Sequence, residues 1–273
     1  MMTWLNRPAS ITQVTHRQRI WLYAFAVLTL IFLILPTLIV VPMSFSGAPD
    51  LEFPPRDFSL RWYEHYFYST EWMTSTLISF RVAIITMVAA TSIGTAAAYG
   101  IWAGSTVWRS FLLGLFALPM TVPVILVAVG SLFVLARLGL VNTTLGLSVV
   151  HTALALPIVV IIVTAGLASY DGNQEQAARS LGATRLRAFF TVTLPQIRAS
   201  VLSATLFSFF TSFDEVVVAM FISNGSAATL NRRMFNALRD QVDPTIAAIS
   251  SCLIGVTIVL IFLSQAFKAP VVR

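Results

Sequence analysis

The sequence predicts an all-α, polytopic membrane protein with six transmembrane helices. Two observations carry that prediction. Of its 273 residues, 57% are hydrophobic and only 10% are charged, whereas a soluble domain carries about 25% charged residues, and the mean hydropathy is +0.84. The apolar residues also gather into six runs, each near the roughly 20 residues that a helix needs to cross a bilayer. The net charge of +6 comes from basic residues scattered through the intervening segments. Without a basic patch, they argue against nucleic acid and read as topology signals. Cys252 is the single cysteine and sits in an apolar run, so a disulfide framework or cysteine zinc site is excluded.

Residues 1–19 are polar, with Arg7, Arg17 and Arg19, and are expected to form a cytoplasmic N-terminal segment ahead of a membrane domain over 20–268. The first run, Ile20–Val41, is too long for the apolar core of a cleaved signal and is read as an uncleaved span. Residues 44–76 are rich in Trp and Tyr, with charges that nearly cancel, as suits the outer membrane–water interface. A base-stacking surface would need a basic groove beside these aromatics.

The second span is expected over Leu77–Trp102. Arg81 snorkels from its outer end, and its inner half is crowded with Ala89, Ala90, Gly94, Ala96, Ala97, Ala98 and Gly100, small residues that let helices approach closely in lipid. The third, Phe111–Ala136, contains Pro119 and Pro123, which either kink the helix or break it beside a protein-lined cavity. The fourth, Leu147–Ala168, holds Pro157 and a single His151, read as a packed residue. A fifth over Ala199–Ile222 and a sixth over Thr245–Phe267 complete the set. Both termini then lie inside, where the flanking segments hold ten of the seventeen Lys and Arg residues against six outside. Three of the outer six, Arg232, Arg233 and Arg239, crowd the loop over 224–243.

Asp171–Pro195 is a polar, Arg-rich loop between the fourth and fifth spans. Asn173 with Gln176 three residues later has the form of a capping box. Residues 174–181 are good helix formers, Gly182 suits a C-terminal corner, Thr184 caps a second short helix, and Pro195 fits the first turn of the next. The segment also resembles the signature loop of permease subunits of binding-protein-dependent ABC importers. That signature is Glu-Ala-Ala, three residues, Gly, nine residues, Ile, one residue, Leu-Pro. Here it reads Gln176-Ala177-Ala178, Gly182, Val192 and Leu194-Pro195. Gln176 stands in the acid's place, with Glu175 just before it, and Val192 replaces Ile. The resemblance implies the type I ABC importer permease fold and a cytoplasmic coupling loop at 171–195. In that loop Glu175, Gln176, Ala177, Ala178, Gly182, Leu194 and Pro195 would dock on an ATPase subunit.

The chain lacks the residues for its own ATP chemistry. Its one lysine, Lys268, has no glycine frame of the P-loop kind around it. His16, His65 and His151 fall in three regions, and Gly146-Leu147-Ser148-Val149 is not a serine-protease turn. No catalytic residue, metal site or cofactor is assigned, so ATP and Mg would be bound by partner subunits.

Asp214 and Glu215 stand out inside the fifth span. A carboxylate at the bilayer centre costs about 2.5–3.5 kcal/mol on insertion scales. As neighbours on a helix, the two would point about 100° apart. They line a path for a cationic substrate, or they are structural acids paired with Arg81 or another chain; the sequence leaves both open. The stretch SFDEVVVAMFISNGSAATLNRRMFNALRDQVDPTIAAIS and the earlier SLRWYEHYF resemble spermidine/putrescine-type permeases, and the likeness runs from about residue 20 onward. It implies a second, different permease, two ATP-binding cassette subunits, an extracytoplasmic solute-binding protein and a place in the bacterial inner membrane. It also implies a polyamine substrate, although related permeases move opines, phosphonates or ferric ion. An ion-driven secondary transporter would need an internal inverted repeat, and none is evident. A membrane scaffold would need neither the loop nor the acids.

Overall fold

The computed structural model describes residues 15–240 and 242–266, so Arg7, Lys268 and Arg273 of the topology reading lie outside the described residues. In chain order the helices are α1 (Ile20–Met43), α2 (Arg61–Tyr68), α3 (Thr70–Ala103), α4 (Thr106–Ala117), α5 (Val124–Arg137), α6 (Thr144–Ala168) and α7 (Asn173–Ser180). They continue with α8 (Arg185–Ala188), α9 (Leu194–Gln196), α10 (Arg198–Phe213), α11 (Val217–Ile222), α12 (Leu230–Asp240) and α13 (Thr245–Ala266). Among the described residues the only extended pairing is an isolated bridge between Ser46 and Phe58. The chain divides into two units, Met1–Tyr68 with Ala237–Arg273, and Ser69–Asn236.

In the first unit, α13 packs on α1 and α2, and the His65 ring nitrogen Nδ1 lies 3.0 Å from Thr245 Oγ1. The aromatic segment after α1 is an ordered loop. Its backbone closes through Gly47 N–H to Asp57 carbonyl (2.9 Å) and Ser59 N–H to Phe45 carbonyl (2.7 Å). Arg61 and Trp62 donate to the carbonyls of Gly47 and Ala48, and the Ser44 and Tyr63 hydroxyls lie 2.6 Å apart. Sequence reading had left residues 61–68 without structure, but they form α2.

The second unit is built on α3, α6 and α10. Ser69 caps α3 by accepting from Trp72 N–H, so the helix starts seven residues before the expected span at Leu77. One core cluster joins Ala90 and Ala98 of α3, Ala155, Val159, Val163 and Leu167 of α6, and Ala204 of α10. The small residues on α3 allow this approach. A Cβ added at Gly94 would lie 2.5 Å from Val159 Cγ1 and 2.9 Å from its Cβ. A second cluster joins Ile78 and Val82, Ala128 and Leu135 of α5, Leu147 and Val150, and Val218, Ala219 and Ile222 of α11.

Three described helical segments are long and apolar enough to cross a bilayer: His16–Met43, α3 and α6. A fourth counts if Trp108–Thr121 and Val124–Arg137 are one span. These two segments meet at 92°, so the proline pair breaks the helix outright. Leu118–Thr121 tightens to a 3-10 turn containing Pro119, Val122 is extended, and Pro123 stands at the cap of α5. The expected fifth span is likewise discontinuous. Helix α10 stops at Phe213, and α11 resumes only at Val217. The last apolar helix, α13, runs over Thr245–Ala266, with a shorter apolar core at Thr245–Val259.

Candidate functional site: the loop between α6 and α10

Asp171, not Asn173, closes the start of α7. Its Oδ1 accepts from Asn173 N–H at 3.0 Å, while Asn173 is already the first helical residue and Gly172 stands at the cap without a side-chain bond. The expected capping box with Gln176 therefore does not form. A shorter carboxylate two residues upstream reaches the same free N–H groups. The other end follows the sequence closely. Gly182 has φ +91°, its N–H reaches the Arg179 carbonyl at 3.0 Å, and Ala183 N–H reaches the Ala178 carbonyl at 3.1 Å. This is a Schellman closure with glycine at the left-handed position. Thr184 then caps α8 by accepting from Arg187 N–H at 3.3 Å.

The signature positions part company in their burial. Gln176 and Ala177 are exposed and Ala178 is half-buried, while Glu175, one step round the helix, is buried at 5% exposure. Glu175 Oε1 accepts from the Tyr99 hydroxyl at 2.6 Å, and its Oε2 accepts from the Thr193 hydroxyl at 2.7 Å. Arg185 Nε donates to the same Tyr99 hydroxyl at 3.3 Å, and its guanidinium lies 5.4 Å from the Tyr99 ring centre. The loop thus turns an acid inward and leaves an apolar outer surface, with Leu181 at 90%, Leu186 at 73% and Phe190 at 61% exposure. After α8 the chain continues as a π-helical segment, Phe189–Thr193, into α9, where Pro195 occupies the first turn as expected. Leu194 is half-buried and Pro195 exposed.

Asp214 and Glu215 sit at the break between α10 and α11, not on one continuous helix, so the 100° relation does not apply. Asp214 is exposed, and its Oδ1 lies 3.3 Å from the donating Asn231 amide. Glu215 Oε1 accepts from Val218 N–H at 2.8 Å in the first turn of α11. Among the described residues neither acid has an ion pair. Those found are Arg56–Glu52, Arg233–Glu71 and Arg239–Asp240, so pairing of either acid with Arg81 does not occur. Phe80, Phe209 and Phe213 stack beside the break, with ring centres 5.2–6.2 Å apart. At the far end of α11, Arg232 donates to the Ala219 carbonyl and to Asn224 Oδ1.

Sequence reading missed Tyr99, Thr193 and Arg185 as partners of Glu175. A trace of Tyr99 is visible in retrospect, since it is the one large polar-tipped residue in a run of small ones from Gly94 to Gly100.

Residues 90–273 match the family described as "Binding-protein-dependent transport system inner membrane component". The chain is 28% identical over 264 residues to the "Putrescine transport system permease protein PotI" of Escherichia coli (strain K12), covering 91% of each chain. It is 27% identical over 242 residues to the "Spermidine/putrescine transport system permease protein PotC" of Haemophilus influenzae, covering 89% of this chain and 94% of that one. A solved chain from a bacterial ABC transporter involved in import of the acidic polysaccharide alginate superposes with a TM-score of 0.71 at 18% identity, over 93% of this chain and 99% of that one. Loop spacing, helical membrane architecture and these similarities converge, and the chain belongs to the family of binding-protein-dependent transport system inner membrane components.

Proposed function

We propose that this chain is one permease subunit of an ATP-driven importer for polyamines in the bacterial inner membrane. It spans six times with both termini cytoplasmic and pairs with a second permease. A solute-binding protein delivers substrate from outside, and two ATPase subunits that bind ATP and Mg sit beneath. The observation that carries this reading is the α7–α8 loop. Its acid points inward, its glycine corner is fixed, and the exposed Leu181 and Leu186 form an apolar surface suited to a groove in an ATPase subunit. In this reading Glu175 anchors the loop, Gln176, Ala177 and Ala178 lie in the docking helix, Gly182 sets the corner, and Leu194 and Pro195 join it to α10. The polyamine assignment rests on relatives named for putrescine and spermidine transport.

Asp214 supports a cationic substrate. It is exposed where two half-helices end, beside the rings of Phe80 and Phe213, and aromatic faces attract ammonium groups. The end of α10 adds the negative pole of a helix. Glu215, engaged with the first turn of α11, acts there as a cap. Asp214→Asn is expected to lower putrescine uptake by about tenfold, equivalent to about 1.4 kcal/mol, with assembly intact. A complex that falls apart would make Asp214 structural instead.

The whole reading is tested by uptake into proteoliposomes containing this chain, its partner permease and the ATPase, supplied with the binding protein and labelled putrescine or spermidine. ATP-dependent accumulation is expected. Stimulated ATP hydrolysis without polyamine uptake would remove the substrate and keep the importer. Uptake indifferent to ATP would remove both.

A further inference from the structure

Both arms of the α7–α8 loop converge on one hydroxyl group. Tyr99, near the cytoplasmic-side end of α3 in the proposed topology, donates to Glu175 of α7 and accepts from Arg185 of α8. Its ring packs on Phe189 at 4.7 Å and Trp102 at 5.9 Å between centres. Trp102 in turn meets Tyr170 at 5.7 Å and crowds Gly172, where an added Cβ would lie 3.1 Å from the indole. The second oxygen of Glu175 is held by Thr193, so the same carboxylate also reaches the segment leading into α10.

These contacts decide how a displaced loop acts on the helices. A helix pair joined only by apolar packing can slide, because dispersion contacts are individually weak and interchangeable. Charge-assisted hydrogen bonds to a buried carboxylate are short, directional and costly to leave unmade. A push on α7 or on α8 therefore reaches α3 through Tyr99 and reaches α10 through Thr193. Helix α3 carries the impulse onward, because its small-residue face is in close contact with α6 at Gly94 and Val159.

We propose that Tyr99 is the positioning residue through which movement of the cytoplasmic loop enters the transmembrane helices, with Glu175 as its latch. This rests on the importer reading above. The Tyr99 hydroxyl is needed for tight coupling of ATP hydrolysis to transport, beyond any need for it in assembly.

The test compares wild type, Tyr99→Phe, Glu175→Ala and Glu175→Gln in the reconstituted complex. Three quantities are read: co-purification with the ATPase subunit, ATP hydrolysis with the loaded binding protein, and labelled putrescine taken up per ATP hydrolysed. Tyr99→Phe keeps the ring contacts and is expected to co-purify normally, with uptake per ATP down about tenfold, within the usual range for coupling between sites. Glu175→Ala should match it. Glu175→Gln retains a carbonyl acceptor and should recover a substantial part. Unchanged uptake per ATP in Tyr99→Phe overturns the proposal, as does loss of the ATPase subunit from that variant, which would make the hydroxyl an assembly element. Wild type that takes up neither putrescine nor spermidine would refute the polyamine importer reading itself, separately from the role of Tyr99.

Discussion

Gly182→Val is expected to lower ATP-dependent uptake by about ten- to a hundredfold while leaving membrane insertion unchanged. The cause is torsional. Gly182 has φ +91°, and nothing lies within 4 Å of where its Cβ would sit, so the added methyl groups meet no neighbour. A β-branched residue held at such a φ costs about 1–3 kcal/mol, and each 1.4 kcal/mol or so is a factor of ten in population. The chain escapes that cost by opening the corner. Opening breaks the bonds from Gly182 and Ala183 to the carbonyls of Arg179 and Ala178 and swings Thr184 and α8 away from their place beside α7. The effect should be graded. Gly182→Asn, which tolerates the left-handed region, should retain most uptake, Gly182→Ala less, and Gly182→Val least. Equal uptake by all three would show that the corner is not required in this form.

Gly94→Val is expected to act at the level of the folded chain, giving little purified protein and a lowered melting temperature. Here the obstacle is steric. The first added carbon already falls 2.5 Å from Val159 Cγ1, and both residues are buried where α3 faces α6. Overpacking a tight core typically costs about 1–3 kcal/mol, occasionally more. Two rigid helices cannot separate locally without loosening Ala90, Ala98, Ala155 and Val163 as well. Val159→Ala in the same chain should restore part of the loss, because it vacates the volume that the new side chain enters. The single and double variants form a cycle whose non-additivity measures the contact. A melting temperature unchanged by Gly94→Val would mean that the helices are not this close.

Much of the loop was legible because its determinants are local. Gly182, Thr184 and Pro195 each act on the backbone within a turn of themselves, and each does what its residue type dictates. Asn173 was misjudged because Asp171 competes for the same N–H groups, and relative reach does not show in spacing. The inward acid was misplaced by one position. Residues 175 and 176 differ by about 100° around a helix, and which of them faces inward depends on Tyr99 and Thr193, far off in sequence. The break at Asp214 was hidden for a similar reason. TSFDEVVVAM is apolar enough to continue a helix, and the interruption is sustained by distant groups. The Asn231 amide donates to the Phe213 carbonyl, Asn142 N–H to the Ile222 carbonyl, and Arg232 to the Ala219 carbonyl. At Pro119 and Pro123 the sequence named the place but not the degree, because a kink becomes a 92° turn only when Val122 between them goes extended.

The π-helical stretch at Phe189–Thr193 has a consequence for the phase of everything that follows it. A π turn amounts to one inserted residue, and one residue advances a helix by about 100°. Thr193 faces Glu175, and Ser208 and Ser212 face Thr91 and His151, only because that extra residue has already been counted. A deletion of one residue here would ease the helix back to regular geometry and rotate the whole of α10 out of alignment. The insertion works as a phase-setting device between the loop and the bundle, and its length in residues is as much a part of the design as their identity.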